Sequence, residues 1–264
     1  MPDSNMDLNG RVYAITGGAL GIGRCLTEEL ARRGARVALI DKEADTGRTL
    51  AEQLKREGGN VLFILGDIAE EEALQNFVRR TAETFGGVDV LVNNACLHRR
   101  GLLTPCGYED FNYVLRVGVT VPYMLTQLFL PYFRKGASVI NITSTRAFMS
   151  QADTESYSAV KGGISALTHA MAVSLAGRVR VNAIAPGWID TGAYHDPAYR
   201  PDYTRADAAQ HPSGRVGTPQ DIFRAVLFLS DGENSFIDGE TLTVDGGMTR
   251  RMIYTGDEGW AYTI

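Results

Sequence analysis

Residues 11–34 read RVYAITGGALGIGRCLTEELARRG, and this stretch constrains the fold more than any other. A short β-rich run passes through a glycine cluster into a helical pattern with no spacer. The carboxyl end of a strand must therefore feed directly into a helix N-terminus. Gly17 permits a tight turn, Gly21 lets backbone N–H groups approach a pyrophosphate, and Gly23, past Ile22, lets the helix pack closely. Alone, the pattern does not separate a phosphate cradle from a ligand-free turn.

The next strand, ARVALI, ends at Asp41, 18 residues beyond Gly23. A carboxylate at about 20 residues from the glycines is placed to bond the ribose hydroxyls of NAD and to repel the 2′-phosphate of NADP. Lys42 follows and blunts that repulsion, so NAD is the preference and NADP stays open. An Asp ending a strand also serves turns; its pairing with the glycines favours the binding reading.

Strand and helix patterns then alternate. Residues 44–57 are expected to be an amphipathic helix, VLFIL a strand running into Gly66-Asp67-Ile68, 70–85 a helix, and VDVLVNNAC a strand. Further on, 119–134 reads as a helix, ASVINIT as a strand, 153–176 as a helix and RVRVNAIAP as a strand. Thr218 opens a last helix with Pro at its first position and an acid at its third, and TLTV is the seventh strand. The strands run apolar without alternation, as in a sheet covered on both faces. The expected fold is α/β: a Rossmann-like, doubly wound, parallel seven-stranded sheet in a single domain over 1–247. Residues 188–215 lose periodicity and read as a substrate loop. Residues 248–264, carrying Met252, Ile253, Tyr254, Trp260 and Tyr262, read as a tail packing on the domain or on a neighbouring subunit.

The chemistry concentrates in STRAFMSQADTESYSAVK. Ser144 follows a β-branched run, and thirteen residues later Tyr157 opens the pattern YSAVK. Tyr157 and Lys161 are four apart and share a helix face. A cation beside a phenol favours the phenolate, and a serine hydroxyl can polarise the carbonyl that the phenol protonates.

Bulk properties exclude other classes. A chain of 264 residues, 44% hydrophobic, supports one substantial core. A net charge of −5 argues against nucleic acid or an anionic membrane as partner. No apolar run approaches the roughly 20 residues of a membrane span, and MPDSNMDLNG lacks the features of a signal peptide. The three cysteines, Cys25, Cys96 and Cys106, form no CxxC pair, which points to a reducing cytoplasm. His98, His169, His195 and His211 match no ligand spacing, so no metal is expected.

TGGALGIG, Asp67, Asn93 to Ala95, Ser144, YSAVK, NAIAPGWIDT and VDGG together resemble the classical short-chain dehydrogenase/reductase family in order and spacing, over about residues 10–247. The resemblance implies that Tyr157 is the general acid/base, that Lys161 tunes it and bonds the nicotinamide ribose, and that Ser144 orients the substrate oxygen. It implies adenine contacts from Asp67 and Ile68, cofactor-loop roles for Asn93 and Ala95, and passage of the carboxamide along Pro186, Gly187, Ile189 and Thr191. It also implies a homodimer or homotetramer.

Two departures stand out. Cys96 occupies the place of a family glycine. Gly118, in RVGVTVP, occupies the place of an active-site asparagine whose carbonyl holds a water linked to the lysine; glycine keeps a carbonyl, so the relay is expected to survive. These departures give some weight to a dinucleotide-binding regulator or scaffold that has lost its chemistry. The intact Ser144, Tyr157 and Lys161 weigh toward an NAD(P)-dependent oxidoreductase acting on a small-molecule alcohol or ketone. Arg146, Arg99, Trp188 and Tyr194 are the substrate candidates; Arg100 lies nearby, His195, Tyr199 and Tyr203 lie in or beside the loop, and the arginines suggest an anionic substrate.

Overall fold

The structure is a computed structural model that describes residues 8–252 and residue 254. The strands are β1 Val12–Thr16, β2 Arg36–Asp41, β3 Asn60–Leu65, β4 Val88–Asn93, β5 Phe133–Ile142, β6 Arg180–Pro186 and β7 Thr241–Val244. They form one parallel sheet in the order β3-β2-β1-β4-β5-β6-β7. The helices are α1 Gly21–Arg32, α2 Ala44–Arg56, α3 Glu71–Phe85, α4 Tyr108–Leu115, α5 Val121–Phe129, α6 Glu155–Ser174, α7 Arg205–Ala209 and α8 Pro219–Ser230.

The apolar strands need cover on both faces, and alternate side chains supply two cores. From β1, Tyr13 and Ile15 point into a core shared with Leu26 and Leu30 of α1, Leu54 of α2 and Val226 of α8. Val12 and Ala14 point the other way, to Phe77 of α3, Leu125 and Phe129 of α5 and Met171 of α6. The order reverses at β1, where β2 lies on one side and β4 on the other. A doubly wound sheet opens its crevice at such a point, outside the carboxyl ends of the strands.

The glycine turn is built as its spacing implies. Gly17 has φ +65°, a left-handed conformation that a side chain disfavours. A Cβ on Gly23 would lie 1.9 Å from the Gly17 carbonyl oxygen, so α1 seats against the turn only because that atom is missing. At the other end of the chain, Thr218 and Asp221 form a capping box at the start of α8.

Two boundaries differ from expectation. The helix expected over 119–134 is shorter: α5 ends at Phe129, and Phe133 already belongs to β5, paired with Val88. Pro131 accounts for this: Leu130 still has helical dihedrals, but Pro131 has no N–H to continue the ladder and its ring crowds the preceding turn. Upstream, α4 was not foreseen; it joins α5 through a π turn over Arg116–Thr120. The fourth strand ends at Asn93, so Asn94 to Cys96 form a loop. Between 188 and 215 the chain holds a 3₁₀ turn at Gly192–Tyr194 and the short α7.

Among the described residues no helix is long and apolar enough to cross a membrane. The packing expected of the tail falls mainly on Ile253, Trp260, Tyr262 and their neighbours, which lie outside the described residues. Its first part is tied to the domain: Thr249 N–H donates to Asp245 Oδ2 at 2.8 Å, and the Arg251 guanidinium donates to the Ala209 carbonyl.

Gly23→Ala should destabilise the domain by on the order of 3 kcal/mol, since the new methyl meets backbone rather than a movable side chain. Thermal unfolding of the variant checks this; an unchanged midpoint would mean that α1 can shift away from the turn.

Candidate active site

A cavity of about 600 Å³ opens over the carboxyl ends of β1, β2, β4, β5 and β6. At one end lie the glycine turn, with Gly17, Gly21 and Ile22, then Asp41, Lys42 and Glu43, and then Asp67 and Ile68. Asp41 is held from two sides: Oδ2 accepts from Ala19 N–H at 2.9 Å and Oδ1 from Glu43 N–H at 3.1 Å. It therefore serves both the turn and the cavity. Asp67 is fixed likewise, accepting from Ala69 N–H at 2.9 Å and from the Tyr113 hydroxyl at 2.6 Å. Burial, and then the Asp67 carboxylate, push the Tyr113 phenol up to about 12.

The β1–β4 junction is locked by side chains. Thr16 Oγ1 accepts from the N–H groups of Asn94 and Ala95 at 3.0 and 3.1 Å. The Asn94 amide returns the favour, donating to the carbonyls of Thr16 and Gly17, each at 3.0 Å. Asn94 and Ala95 thus line the cavity, whereas Asn93 does not: it is buried behind, donating to Asn141 Oδ1 at 2.8 Å. The loop role expected for Asn93 passes to its neighbour, because the strand runs one residue into the NNA motif.

At the other end of the cavity Ser144, Tyr157 and Lys161 meet. The Lys161 ammonium is buried and donates to the Ile142 carbonyl at 2.7 Å. Thr143 Oγ1 donates to the Lys161 carbonyl at 2.8 Å, so the end of β5 and the first turns of α6 hold each other in both directions. Nζ lies 5.2 Å from the centre of the Tyr157 ring. Burial works against the charge of Lys161, but Cys96 and Tyr157 facing it, as the thiolate and phenolate they form on ionising, outweigh burial and push its pKa upward. Ser144 Oγ accepts from Arg146 N–H at 3.1 Å, which fixes the oxygen and leaves its proton to donate into the cavity. Pro186, Gly187, Ile189 and Thr191 form the wall opposite.

Residues that line the cavity beyond those expected include Glu43, Asn94, Leu97, Tyr113, Val117 and Thr143. The second Asn of NNA was a readable signal; Tyr113 lies in a helix that the periodicity did not reveal. Two histidines reach it as well. His98 stands edge-on to Tyr157 at 6.1 Å between ring centres, and His195 lies beside the glycine turn.

The arginines do not reach the cavity wall. Arg146 bonds Gln151. Arg99 is exposed, 3.8 Å from Asp110 and 6.0 Å above the Tyr113 ring. Arg100 is also exposed. Nor do Trp188 and Tyr194 line the cavity. Trp188 packs against Tyr203 and His211, and Tyr194 turns toward Gln220 and Cys25. Long basic side chains near a site in sequence found carboxylates, amides and solvent instead. Among the described residues no group of three or more His, Cys, Asp or Glu is arranged to hold a metal.

A family model described as enoyl-(acyl carrier protein) reductase matches residues 17–249. A Thermotoga maritima protein named as an uncharacterized oxidoreductase is 43% identical, over 94% of this chain and 99% of its own length. The solved structure of an apo SCOR enzyme from Clostridium thermocellum superposes with a TM-score of 0.87 at 42% identity, covering 96% of this chain and 99% of that one. A short-chain dehydrogenase/reductase from Serratia marcescens superposes with a TM-score of 0.83 at 31% identity, covering 92% and 100%.

Gly118 has a local explanation. It lies in the π turn, where Val121 N–H donates to Arg116 O, and it is buried. Pro122, four residues on, has no N–H to offer the Gly118 carbonyl and would crowd it in a regular helix, which accounts for the widened turn. A Cβ on Gly118 would lie 2.1 Å from Val160 Cγ1. Val160, adjacent to Lys161, therefore fills the space that a side chain at 118 would need. Gly118→Asn alone would report that clash rather than the state of a proton relay. Gly118→Ala should lower both turnover and thermal stability, the latter by about 1–3 kcal/mol, and Gly118→Ala combined with Val160→Ala should restore most of both. If the double variant is no better than the single one, Val160 is not the reason for the glycine.

Proposed function

The chain belongs to the classical short-chain dehydrogenase/reductase family, and from that premise we propose that it interconverts a secondary alcohol and a ketone with a nicotinamide dinucleotide. Family membership makes it an oxidoreductase; the reaction, the cofactor preference and the residue roles are our reading. The observation that carries it is one cavity with a glycine turn and the Asp41 carboxylate at one end and Ser144, Tyr157 and Lys161 at the other.

The residues present fit such a cofactor. Gly17 and Gly21, both at positive φ, keep the turn free of side chains before the α1 N-terminus. Asp41 and Glu43 would face the adenosine ribose with Lys42 between them, and the two carboxylates against one cation support NAD over NADP. Asp67, Ile68, Asn94, Ala95, Tyr157, Lys161, Pro186, Gly187, Ile189 and Thr191 would hold the remainder. When bound, the nicotinamide supplies or accepts the hydride.

The chain supplies the proton chemistry. Tyr157 gives a proton to the carbonyl oxygen in reduction and takes it back from the hydroxyl in oxidation. Ser144, its oxygen fixed by Arg146 N–H, donates to that same oxygen and orients it. Lys161, kept charged and locked to Ile142, stabilises the negative charge that Tyr157 carries after giving up its proton.

Among the described residues no arginine lines the cavity, and an uncharged alcohol suits such a site better than an anionic one. Exposed apolar side chains next to Ser144 in sequence, and on a loop bonded to the start of α6, point the same way. Leu102 and Leu103 are highly exposed, on a loop whose N–H groups bond Asp153 and Glu155, and Phe148 stands exposed just past Ser144. The assembly we propose is a homodimer or homotetramer.

Absorbance of the reduced nicotinamide across a panel of apolar alcohols, polyols, hydroxy acids and steroids, with NAD and NADP in parallel, tests this. Tyr157→Phe should lower turnover by at least about 100-fold while NADH still binds. Asp41→Ala should raise the relative efficiency with NADP at least about tenfold, a change of about 1.4 kcal/mol. A native chain that binds NADH yet turns over nothing in the panel would instead favour the regulator or scaffold reading.

A further inference from the structure

The segment after β6 carries two neighbouring residues with opposite fates. Tyr194 turns inward, packs against the core beneath α1 and α8, and accepts a hydrogen bond from the Gln220 amide. Its hydroxyl also meets the thiol of Cys25, which lies one turn along α1 from Gly21. Burial pushes the Cys25 thiol up to about 11 and the Tyr194 phenol upward too, so both remain neutral and act as a peg. The 3₁₀ turn Gly192–Tyr194 is thereby fastened to α1 from outside the sheet.

His195 comes next and is carried over the first turn of α1. A Cβ on Gly21 would lie 3.2 Å from His195 Nε2 and 3.7 Å from Thr191 Cβ. The imidazole therefore faces the backbone that opens the helix, across the gap left by the missing side chain. This part of the cavity wall consists of Gly17, Leu20, Gly21, Ile22, Asn94, Thr191 and His195, with no carboxylate among them. The acids beside it in sequence are engaged elsewhere: Asp190 accepts from Gly192 N–H at 3.0 Å and Asp196 from Ala198 N–H at 2.8 Å.

Resting on the cofactor reading above, we propose that His195 is a ligand of the dinucleotide's diphosphate, donating from the substrate-loop side to an anion that the α1 N-terminus holds from below. The glycine at 21 then has a second purpose: with no side chain there, the imidazole can come close to the first turn of α1 and share an anion with it. Because His195 and the substrate loop are one segment, filling the diphosphate site also orders the wall next to Thr191.

Equilibrium binding separates this role from a general one. NADH is followed by fluorescence, and ADP and adenosine by competition, for the native chain, His195→Ala and His195→Gln. A lost charge-assisted hydrogen bond should weaken NADH and ADP by about 10- to 100-fold in His195→Ala. Adenosine, which has no phosphate, should change less than about twofold, and His195→Gln, which keeps a donor, should recover part of the loss. Unchanged ADP affinity in His195→Ala, or equal losses for ADP and adenosine, would overturn the assignment while leaving the cofactor reading intact. A native chain that binds neither NADH nor ADP would overturn both. His195 is exposed, so the apo variants should unfold at the native temperature, which identifies any loss due to misfolding.

Discussion

The structure turns on a reciprocal tie between the end of β5 and the start of α6. Lys161 Nζ reaches the Ile142 carbonyl, and Thr143 Oγ1, one residue on, reaches back to the Lys161 carbonyl. An ammonium buried this deeply is costly unless its partners are in place. The tie is therefore tolerated in one register only. That register brings Ser144, the residue after Thr143, to face Tyr157, one turn before Lys161. A buried polar ladder supports it from behind: Asn93 donates to Asn141, and Asn141 to Thr168 of α6 at 2.9 Å.

A second lock sets the other half of the cleft. Thr16 and Asn94 join the ends of β1 and β4 at the point where the strand order reverses, and hold the glycine turn open beside them. Both locks are made at the carboxyl ends of strands, where the sheet stops and backbone groups need new partners. The cleft thus forms as the sheet's termini are satisfied. The glycine-turn end and the Ser144–Tyr157–Lys161 end become parts of one cavity, with the ends of β4 and β5 as the shared wall.

What was legible in the sequence follows from how local each constraint is. The glycine turn, Asp41 at the end of β2, and the Tyr157–Lys161 pair are set by spacing along one strand or one helix, and all line the cavity. Asn93 was one residue off because the exact end of β4 depends on Thr16, far away in the chain. Gly118 looked like a departure from a pattern, but its cause, Val160, lies on a different helix and no local signal joins them. The arginines misled because chain proximity to Ser144 says nothing about direction; Arg146 found Gln151 within its own loop. Tyr194 and His195 show the same limit. In an aperiodic loop, nothing local decides which neighbour faces the core and which faces the cleft.

Hydride transfer at the Ser144–Tyr157–Lys161 end is the central claim, and isotope transfer tests it most directly. A secondary alcohol bearing deuterium on its carbinol carbon is oxidised by the native chain with NAD, and the reduced nucleotide is examined by mass spectrometry. Direct transfer predicts one deuterium per reduced nicotinamide and none released to water. Reduced nucleotide free of deuterium, or deuterium recovered in the solvent, would contradict it.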